Sequence, residues 1–322
     1  MATRCWVAVR TMGTAPSAAW PRNGARRSGQ AVAMPPKKGG KACKAARHVL
    51  ESEVFLAVAG GREIMPDESA FDPFQPYYDI LVDWEARIGR EGPFLQRVFS
   101  HVSARRVLDC ACGTGHHVRL FARWGMEAVG ADLSPSMIEQ ATRDARASGA
   151  RIRFEVVDFR ELPAHFPQPF DAVICTGNSL PLVGSADGVR RAVKSMHDVM
   201  TPNGVLVLHT LNYSVIPEGA NVYEEPRVRL VEDREILFLK VFRKVRRLCD
   251  LDIVLLEKQA GEWKKIETHA RAWALEQSEL ESMVTAAGFG RLQWYGGYEP
   301  KPFGPAASRD MILVARREKA KK

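Results

Sequence analysis

Short apolar runs rich in Val and Ile alternate with helical patterns between residues 106 and 211 of this 322-residue chain. Runs of this length suit buried strands, whereas the segments between them repeat apolar residues at the helical period. Ser134 and Pro135 suit the cap and the first position of a helix. Strands are predicted at 106–110, 128–131, 152–157, 172–175 and 205–211, and helices at 116–124, 135–147 and 188–200. This alternation predicts a parallel sheet with helices on both faces.

The pattern changes after residue 213. A helix at 278–287 ends before Gly288, a residue suited to a helix C-terminus, and strands follow at 291–295 and 310–315. Four alternating strands without intervening helices are predicted at 227–230, 235–243, 251–258 and 264–273. The predicted fold class is α/β: a Rossmann-like, doubly wound, mostly parallel seven-stranded sheet with an antiparallel β insertion after strand five.

Four segments follow from these patterns. An amphipathic run at 77–100 indicates helices that form a lid over the core. The predicted segments are a disordered basic extension at 1–64, a Rossmann-like core with N-terminal lid helices at 65–213, a substrate-side antiparallel insertion at 214–274, and a C-terminal helix and strand pair at 275–322 that completes the core sheet.

The net charge of +8 is unevenly distributed along the chain. Residues 1–50 hold ten Lys or Arg and no Asp or Glu, so this tail carries +10 and the rest of the chain carries −2. The whole-chain charge is therefore no guide to the partners of the folded part. Three interpretations of the tail stay open: an organelle-targeting peptide, a basic arm for an anionic partner, or residues upstream of a start at Met34 or Met65.

Composition limits the compartment and the partners. No apolar stretch reaches the roughly 18 residues of a membrane span, and the apolar opening at 5–9 is too short for a signal peptide. Six scattered cysteines are too few for a disulfide scaffold, and Cys110 and Cys112 lack a second pair at ligand spacing, so no metal is predicted. We expect a cytoplasmic location, or an organellar one if the tail is a transit peptide.

The first predicted strand runs into a loop that contains Asp109, Ala111, Gly113 and Gly115 and then enters a helix. Glycines let the backbone approach a ligand closely, and a helix N-terminus offers free N–H groups. Asp132 ends the second strand, where a carboxylate can accept the hydroxyls of a ribose. The sequence therefore predicts a polar ligand at this end of the sheet.

The third predicted strand ends in Asp158 and Phe159, which can bond an adenine amine and pack on its ring. Ligands of doubly wound folds bind at this carboxyl edge of the sheet. A dinucleotide is disfavoured because Val118 stands where its motif needs a third glycine, and because Asp109 would repel a pyrophosphate. An adenosine ligand with a cationic or zwitterionic tail fits better.

The glycine loop, Asp132, the Asp158 and Phe159 pair, and residues 176–179 after the fourth strand resemble the motifs of class I S-adenosylmethionine-dependent methyltransferases. The resemblance covers about residues 71 to 315 and is closest to small-molecule enzymes of the glycine and sarcosine N-methyltransferase type. It implies S-adenosyl-L-methionine (SAM) as the cofactor. The cofactor-binding residues that it implies are Tyr78, Arg87, Asp109, Ala111, Gly113, Gly115, Asp132, Leu133, Met137, Asp158, Phe159 and Thr176.

The same resemblance implies Asn178 and Tyr213 as the catalytic residues, because they match a Gly-Asn-Ser after strand four and an Asn-Tyr after strand five. Members that methylate glycine carry an Arg immediately before that Asn-Tyr, and here the position is Leu211. The bidentate clamp for a substrate carboxylate is therefore missing at this position. The resemblance predicts the class of enzyme and leaves the substrate open.

The predicted function is methyl transfer from SAM to N, O or S of a small molecule by in-line displacement. The acceptor pocket is expected between 214–273 and 72–100. The alternatives are an RNA or protein methyltransferase anchored by the basic tail, and a cofactor-binding fold without catalysis. Motifs of DNA amino-methylating and cytosine-C5 enzymes are missing after strand four, so we expect no nucleic-acid partner, and we expect no membrane partner. The oligomeric state is left open.

Overall fold

A computed structural model of the protein describes residues 7–9, 71–224, 226–299 and 301–318. In chain order the strands are β1 (Val7–Val9), β2 (Arg106–Asp109), β3 (Glu127–Asp132), β4 (Arg153–Val156), β5 (Phe170–Cys175), β6 (Met200–Leu211), β7 (Asn221–Tyr223), β8 (Arg227–Val231), β9 (Arg234–Val245), β10 (Leu248–Gln259), β11 (Glu262–Trp273), β12 (Phe289–Tyr295) and β13 (Asp310–Arg317). The α-helices are α1 (Gln75–Leu81), α2 (Trp84–Ser100), α3 (His116–Arg123), α4 (Pro135–Ala147), α5 (Leu162–His165), α6 (Ala186–Asp198) and α7 (Gln277–Ala286). Short 3-10 helices lie at Asp72–Phe74, Leu180–Val183 and Tyr213–Val215.

Seven of these strands form one sheet in the order β12-β13-β6-β5-β2-β3-β4. The five strands from β2 to β6 are parallel, and β13 is antiparallel to both of its neighbours. The strand order reverses between β2 and β5, so a crevice opens at their carboxyl ends. The predicted fold class, with its mostly parallel seven-stranded sheet, is confirmed.

The insertion after β6 forms a second sheet, which is antiparallel throughout. Its order is β1-β7-β9-β10-β11, and β8 pairs with β9. Strand β1, which the sequence pattern does not predict, places Val7 opposite Tyr223 of β7. Apart from Val7–Val9, the extension predicted at 1–64 lies outside the described residues. Because β11 is an edge strand, one of its sides is available to a neighbouring element.

The amphipathic run predicted at 77–100 is two helices, since α1 ends at Leu81 and α2 begins at Trp84. The Asp83 carboxylate caps α2 by accepting a hydrogen bond from the Ala86 amide at 3.1 Å. The predicted cap of α4 is also present: the Ser134 hydroxyl accepts a hydrogen bond from the Met137 amide. Among the described helices, none has the length and apolar character that crossing a bilayer requires.

Helices cover both faces of the seven-stranded sheet. Residues of α6 and α7 belong to the apolar core on one face, and residues of α2 and α3 belong to the core on the other. A separate core joins α1 to the second sheet, in which Tyr77 and Leu81 share a cluster with Ile253 and Leu255. Helix α1 therefore packs between the two sheets, next to the crevice.

Candidate active site

A cavity of about 450 Å³ lies at the carboxyl ends of β2 to β5, with the lid helices α1 and α2 forming part of its wall. A concave site of this size suits a small organic ligand. The predicted cofactor-binding residues that line it are Tyr78, Arg87, Ala111, Gly113, Asp132, Leu133, Met137, Asp158, Phe159 and Thr176. Ten of the twelve predicted positions thus come together in one place.

The other two positions, Asp109 and Gly115, are not among the residues that line the cavity. Asp109 is 1% exposed, and its carboxylate accepts a hydrogen bond from the Ala111 amide at 3.2 Å. Gly115 begins α3 with a φ of +78°, and a Cβ there would lie 2.7 Å from the Phe154 ring. Both residues help to shape the loop, and their contact with a cofactor stays a prediction.

Asp132 ties the second strand end to the glycine loop. Its carboxylate accepts hydrogen bonds from the Gly113 amide at 2.8 Å and the Ser134 amide at 3.0 Å. Burial raises the pKa of Asp132 above its usual value, although these backbone donors oppose that shift. A carboxylate has about four lone-pair positions, so acceptor capacity is left for ligand hydroxyls.

Asp158 is oriented by its own local turn. It accepts hydrogen bonds from the Arg160 amide at 2.8 Å and from the Arg160 Nε at 2.8 Å. The neighbouring Phe159 is partly buried and packs against the main core. These two strand-end residues therefore contribute a carboxylate and an aromatic ring to the cavity lining.

A buried ionic network with Glu91 and His117 holds Arg87 in place. Its Nε donates to Glu91 at 2.9 Å, and the His117 Nε2 lies 2.9 Å from the other oxygen of Glu91. Burial alone would raise the pKa of Glu91, but the hydrogen bond with His117 and the charge of Arg87 lower it to about 2. Burial lowers the pKa of His117. Arg87 thus keeps its charge at the cavity wall while Glu91 balances it.

Asp109 lies within reach of the same network, because its Oδ2 is 3.9 Å from the His117 Nδ1. Burial raises the pKa of Asp109 to about 7, and the charges of Asp132 and Glu91 add to the shift. The negative charges of Asp109, Asp132 and Glu91 therefore repel one another near the glycine loop. A cationic group bound at this loop would relieve that repulsion.

The lid is held to the loop by Asp79, a residue that the sequence patterns do not single out. Asp79 accepts hydrogen bonds from the Thr114 hydroxyl at 2.7 Å and from the Trp84 indole at 2.8 Å. The Trp84 ring also stacks on His116 with centroids 4.1 Å apart. These contacts fix α1 and the start of α2 over the cavity.

The two predicted catalytic residues form a hydrogen-bonded pair. Tyr213 is fully buried, and its hydroxyl accepts a hydrogen bond from the Asn178 amide nitrogen at 3.0 Å. The Asn178 amide oxygen accepts from the Leu211 amide at 2.9 Å. Burial raises the pKa of Tyr213, and neither residue lines the cavity. The structure thus gives the pair a role in packing the segments after β5 and β6, and their catalytic role stays a prediction.

The second sheet contributes to the same cavity through His269, Ala270 and Arg271 of the edge strand β11. The His269 Nδ1 lies 2.8 Å from an Asp252 carboxylate oxygen, and the Arg271 Nε donates to Asp250 at 2.8 Å. Each pair joins directly opposed positions on β11 and β10. The predicted insertion therefore does meet the crevice, although the sequence patterns identify none of these side chains.

Metal binding has no visible basis in the described residues. Across residues 71–318, with the two gaps stated above, no three His, Cys, Asp or Glu side chains cluster as a metal site requires. Cys110 and Cys112 are buried free thiols, and burial raises the pKa of both well above the usual value. Such protonated thiols are poor metal ligands.

Comparison with known proteins adds a family match. A family model described as a methyltransferase domain matches residues 107–204. A glycine/sarcosine N-methyltransferase from Parasynechococcus marenigrum (strain WH8102) is 36% identical over 154 residues, which are 48% of this chain and 55% of the relative. A glycine/sarcosine N-methyltransferase from Halorhodospira halochloris is 34% identical over 172 residues, which are 49% of this chain and 64% of the relative. The chain thus spans between about half and two thirds of the length of these relatives.

Solved structures agree with the fold. A SAM-bound amino pentose methyltransferase from Micromonospora echinaspora superposes with a TM-score of 0.61 at 21% identity. The superposition covers 80% of this chain and 100% of that protein. At this level of identity the likeness concerns the fold alone.

Proposed function

We propose that this chain, whose residues 107–204 are a class I SAM-dependent methyltransferase domain, transfers a methyl group from SAM to a small molecule. The resemblance that the motifs predict is confirmed by the matched domain and by relatives of the glycine/sarcosine N-methyltransferase type. The observation that carries the proposal is the convergence of Asp132, Asp158 and Arg87 on one cavity at the carboxyl edge of the sheet.

The side chains at the cavity fit the chemical groups of SAM. Asp132 would accept the ribose hydroxyls, and Asp158 with Phe159 would hold the adenine by a hydrogen bond and by packing. Arg87 would bind the carboxylate, because a guanidinium has five N–H donors and Glu91 takes the one on Nε. The excess of carboxylates near Asp109 suits the positive sulfonium.

Bound SAM would supply an already activated methyl group on sulfur. The residues of this chain would then have two tasks, which are to align the acceptor with that methyl group and to exclude water. Tyr78 packs beside Gly113, 3.6 Å from the position that a Cβ would take there, and so covers the glycine loop. The Asp79 contacts with Thr114 and Trp84 would keep this cover closed during the reaction.

Calorimetric titration with SAM and S-adenosylhomocysteine tests the cofactor assignment. The wild-type protein should bind both ligands, and Asp132→Ala should weaken binding by about 30- to 100-fold, the worth of a lost charge-assisted hydrogen bond. Asp187→Ala serves as the control because this carboxylate is exposed on α6, where it pairs only with Arg190 among the described contacts. Absence of binding to the wild-type protein would refute the proposal.

The acceptor is proposed to be a small molecule, as the names of the relatives suggest. Leu211 stands where glycine-methylating enzymes carry Arg, so a wider range of acceptors than glycine and sarcosine needs testing. The experiment is a screen that measures release of S-adenosylhomocysteine. We also infer a cytoplasmic location, which is supported by four buried cysteines that are free thiols in the described residues.

A further inference from the structure

One wall of the cavity belongs to the second sheet and has no role in holding the cofactor as proposed above. The edge strand β11 and the 3-10 helix at Leu180–Val183, with Gly184 after it, build this wall together. They pack closely, because a Cβ at Gly184 would lie only 3.4 Å from the carbonyl oxygen of Arg271. The wall carries one imidazole, that of His269, which is 22% exposed.

The contacts of His269 determine which ring nitrogen carries the proton. Its Nδ1 lies 2.8 Å from an Asp252 oxygen, so the neutral ring donates its one N–H to that carboxylate. Nε2 then keeps its lone pair. When Nε2 takes a proton, the new charge lies 3.7 Å from an Asp250 oxygen. Asp250 is itself held by Arg271 and by Arg243.

The other titratable groups of the cavity are less suited to accept a proton. His117 is 3% exposed, and its ring is bound to Glu91. Burial raises the pKa of the Tyr78 phenol and of the Cys112 thiol, which keeps both protonated. Asp158 is engaged by Arg160. Among the cavity-lining residues that the structure describes, His269 therefore combines partial exposure with a ring nitrogen that keeps its lone pair.

We propose that His269 is the proton acceptor of the methyl transfer, an inference that rests on the proposed function and on an amine acceptor that arrives protonated, the acceptor class that the names of the relatives carry. The His269 Nε2 removes one proton from the ammonium group. The nitrogen lone pair released in this way forms the new N–CH₃ bond, while the C–S bond of the donor breaks and its electron pair stays on sulfur. The products are the methylated ammonium, the neutral thioether and an imidazolium.

The chemistry of imidazole selects the acceptor class. A histidine in water titrates near pH 6.5 and an alkylammonium such as that of lysine near 10.4, a gap that a binding site can bridge. A hydroxyl is far less acidic, with a pKa of about 15.7 for water. Amines are therefore favoured over alcohols.

The test uses the full chain with SAM and three acceptor pairs that differ in nitrogen or oxygen: glycine with glycolate, glucosamine with glucose, and ethanolamine with ethylene glycol. S-adenosylhomocysteine release is followed between pH 6 and 9, and SAM affinity is measured by calorimetry. At least one amine should be methylated, and its oxygen partner should not. His269→Gln should lower kcat by at least about 100-fold, with SAM affinity unchanged within about twofold.

Two further variants separate a proton acceptor from a merely structural residue. Asp252→Asn should move the acidic limb of the pH profile to lower pH, because the imidazolium loses its nearest carboxylate. His165→Gln is the matched control, since this exposed histidine on α5 lies outside the cavity. It should leave both rate and profile unchanged.

Three outcomes would overturn the proposal: turnover of the oxygen partners at comparable rates, an unchanged pH profile in both the His269 and the Asp252 variant, or no turnover of any amine by protein that binds SAM. Absence of SAM binding by the wild-type protein is a different result, because it refutes the proposed function itself.

Discussion

The two sheets build their sides of the cavity in different ways. The seven-stranded sheet presents residues at strand ends and in loops, such as Gly113, Asp132 and Asp158. The second sheet presents side chains from within a strand, such as His269 and Arg271, each paired across to β10. Substitutions on the first side alter strand ends and loops and so disturb the backbone. Substitutions on the second side replace side chains of β11 and leave its backbone pairing with β10 in place. Under the proposed function the first side would hold the cofactor and the second would hold the acceptor, and we call them the cofactor wall and the acceptor wall.

The two walls also differ in how their charges are held. Glu91 and His117 are 2% and 3% exposed beneath the cofactor wall. On the second sheet, the side chains of Arg243 and Arg271 are about half exposed, at 56% and 49%. Removing one partner of a buried pair leaves a charge without water or counter-ion, whereas an exposed partner regains solvent. The cofactor wall should thus tolerate substitution far less well.

Glu91→Gln should have the largest effect. It leaves Arg87 and His117 buried without their common carboxylate and should lower the free energy of unfolding by about 3–5 kcal/mol. Asp250→Asn, the matched change on the second sheet, should lower it by about 1 kcal/mol or less. Urea unfolding at pH 7 gives both values.

The pH dependence of the Glu91 effect provides a check. The pKa of Glu91 is lowered to about 2 in the folded protein, so its stabilising contribution is present above its ordinary pKa of 4.5 and is lost as the pH falls toward 2. The difference between wild type and Glu91→Gln should therefore shrink in acid. Equal losses for the Glu91 and Asp250 variants would remove the contrast between the walls.

Leu255→Ala tests whether SAM affinity depends on the packing of the second sheet. Leu255 is fully buried in the core that joins the second sheet to α1, so the variant should lose about 3 kcal/mol of unfolding free energy. SAM affinity, measured by calorimetry on the folded protein, should change by less than about twofold. A large loss of affinity would show that the cofactor wall depends on the packing of the acceptor wall.

Gly115→Ala tests the structural role of a loop residue that does not line the cavity. Gly115 and Gly125 have similar φ values, +78° and +80°, but a Cβ at Gly115 would strike Phe154 at 2.7 Å, whereas at Gly125 nothing lies within 4 Å. Both alanine variants carry the strain of a left-handed backbone, about 1 kcal/mol. Thermal unfolding should show an additional loss of about 1–2 kcal/mol for Gly115→Ala alone. Equal losses would return Gly115 to a ligand-contact role.

The pH dependence of SAM affinity should show the smallest effect. The pKa of Asp109 is about 7 in the ligand-free protein, and the charged groups facing it are Asp132, Glu91, Arg87 and His117. Because a cationic ligand favours the ionised carboxylate, affinity should rise by up to about tenfold per pH unit between pH 6 and 7 and then level off.

Two measurements accompany this titration. Calorimetry on Asp109→Asn should show a flat profile. In the ligand-free wild type, a folded-state pKa above the unfolded 3.8 means that the contribution of Asp109 to stability is present at low pH and is lost as pH rises through about 7. A steep affinity profile that survives in Asp109→Asn would assign the titration to another group.

Sequence patterns predicted the features that depend on neighbouring residues in the chain. Strand and helix alternation and the Ser134 cap follow from short-range spacing, whereas the ten cavity-lining residues follow from the resemblance to the methyltransferase family. The ion pair of Glu91 could have been predicted from the sequence, because Glu91 stands four residues after Arg87 on one helix. The contacts of His269 could not have been predicted, because they depend on the register of β11 against β10. For Asp109, the motif gives the loop position but not the side of the loop to which the side chain turns.

Three consecutive residues of α1 contact three parts of the molecule. The Tyr77 hydroxyl donates to Glu257 of β10 at 2.7 Å, Tyr78 lies beside Gly113, and Asp79 accepts from Thr114. Opening either wall therefore displaces the same helix. Under the proposed function, donor and acceptor products would then leave in a single release event.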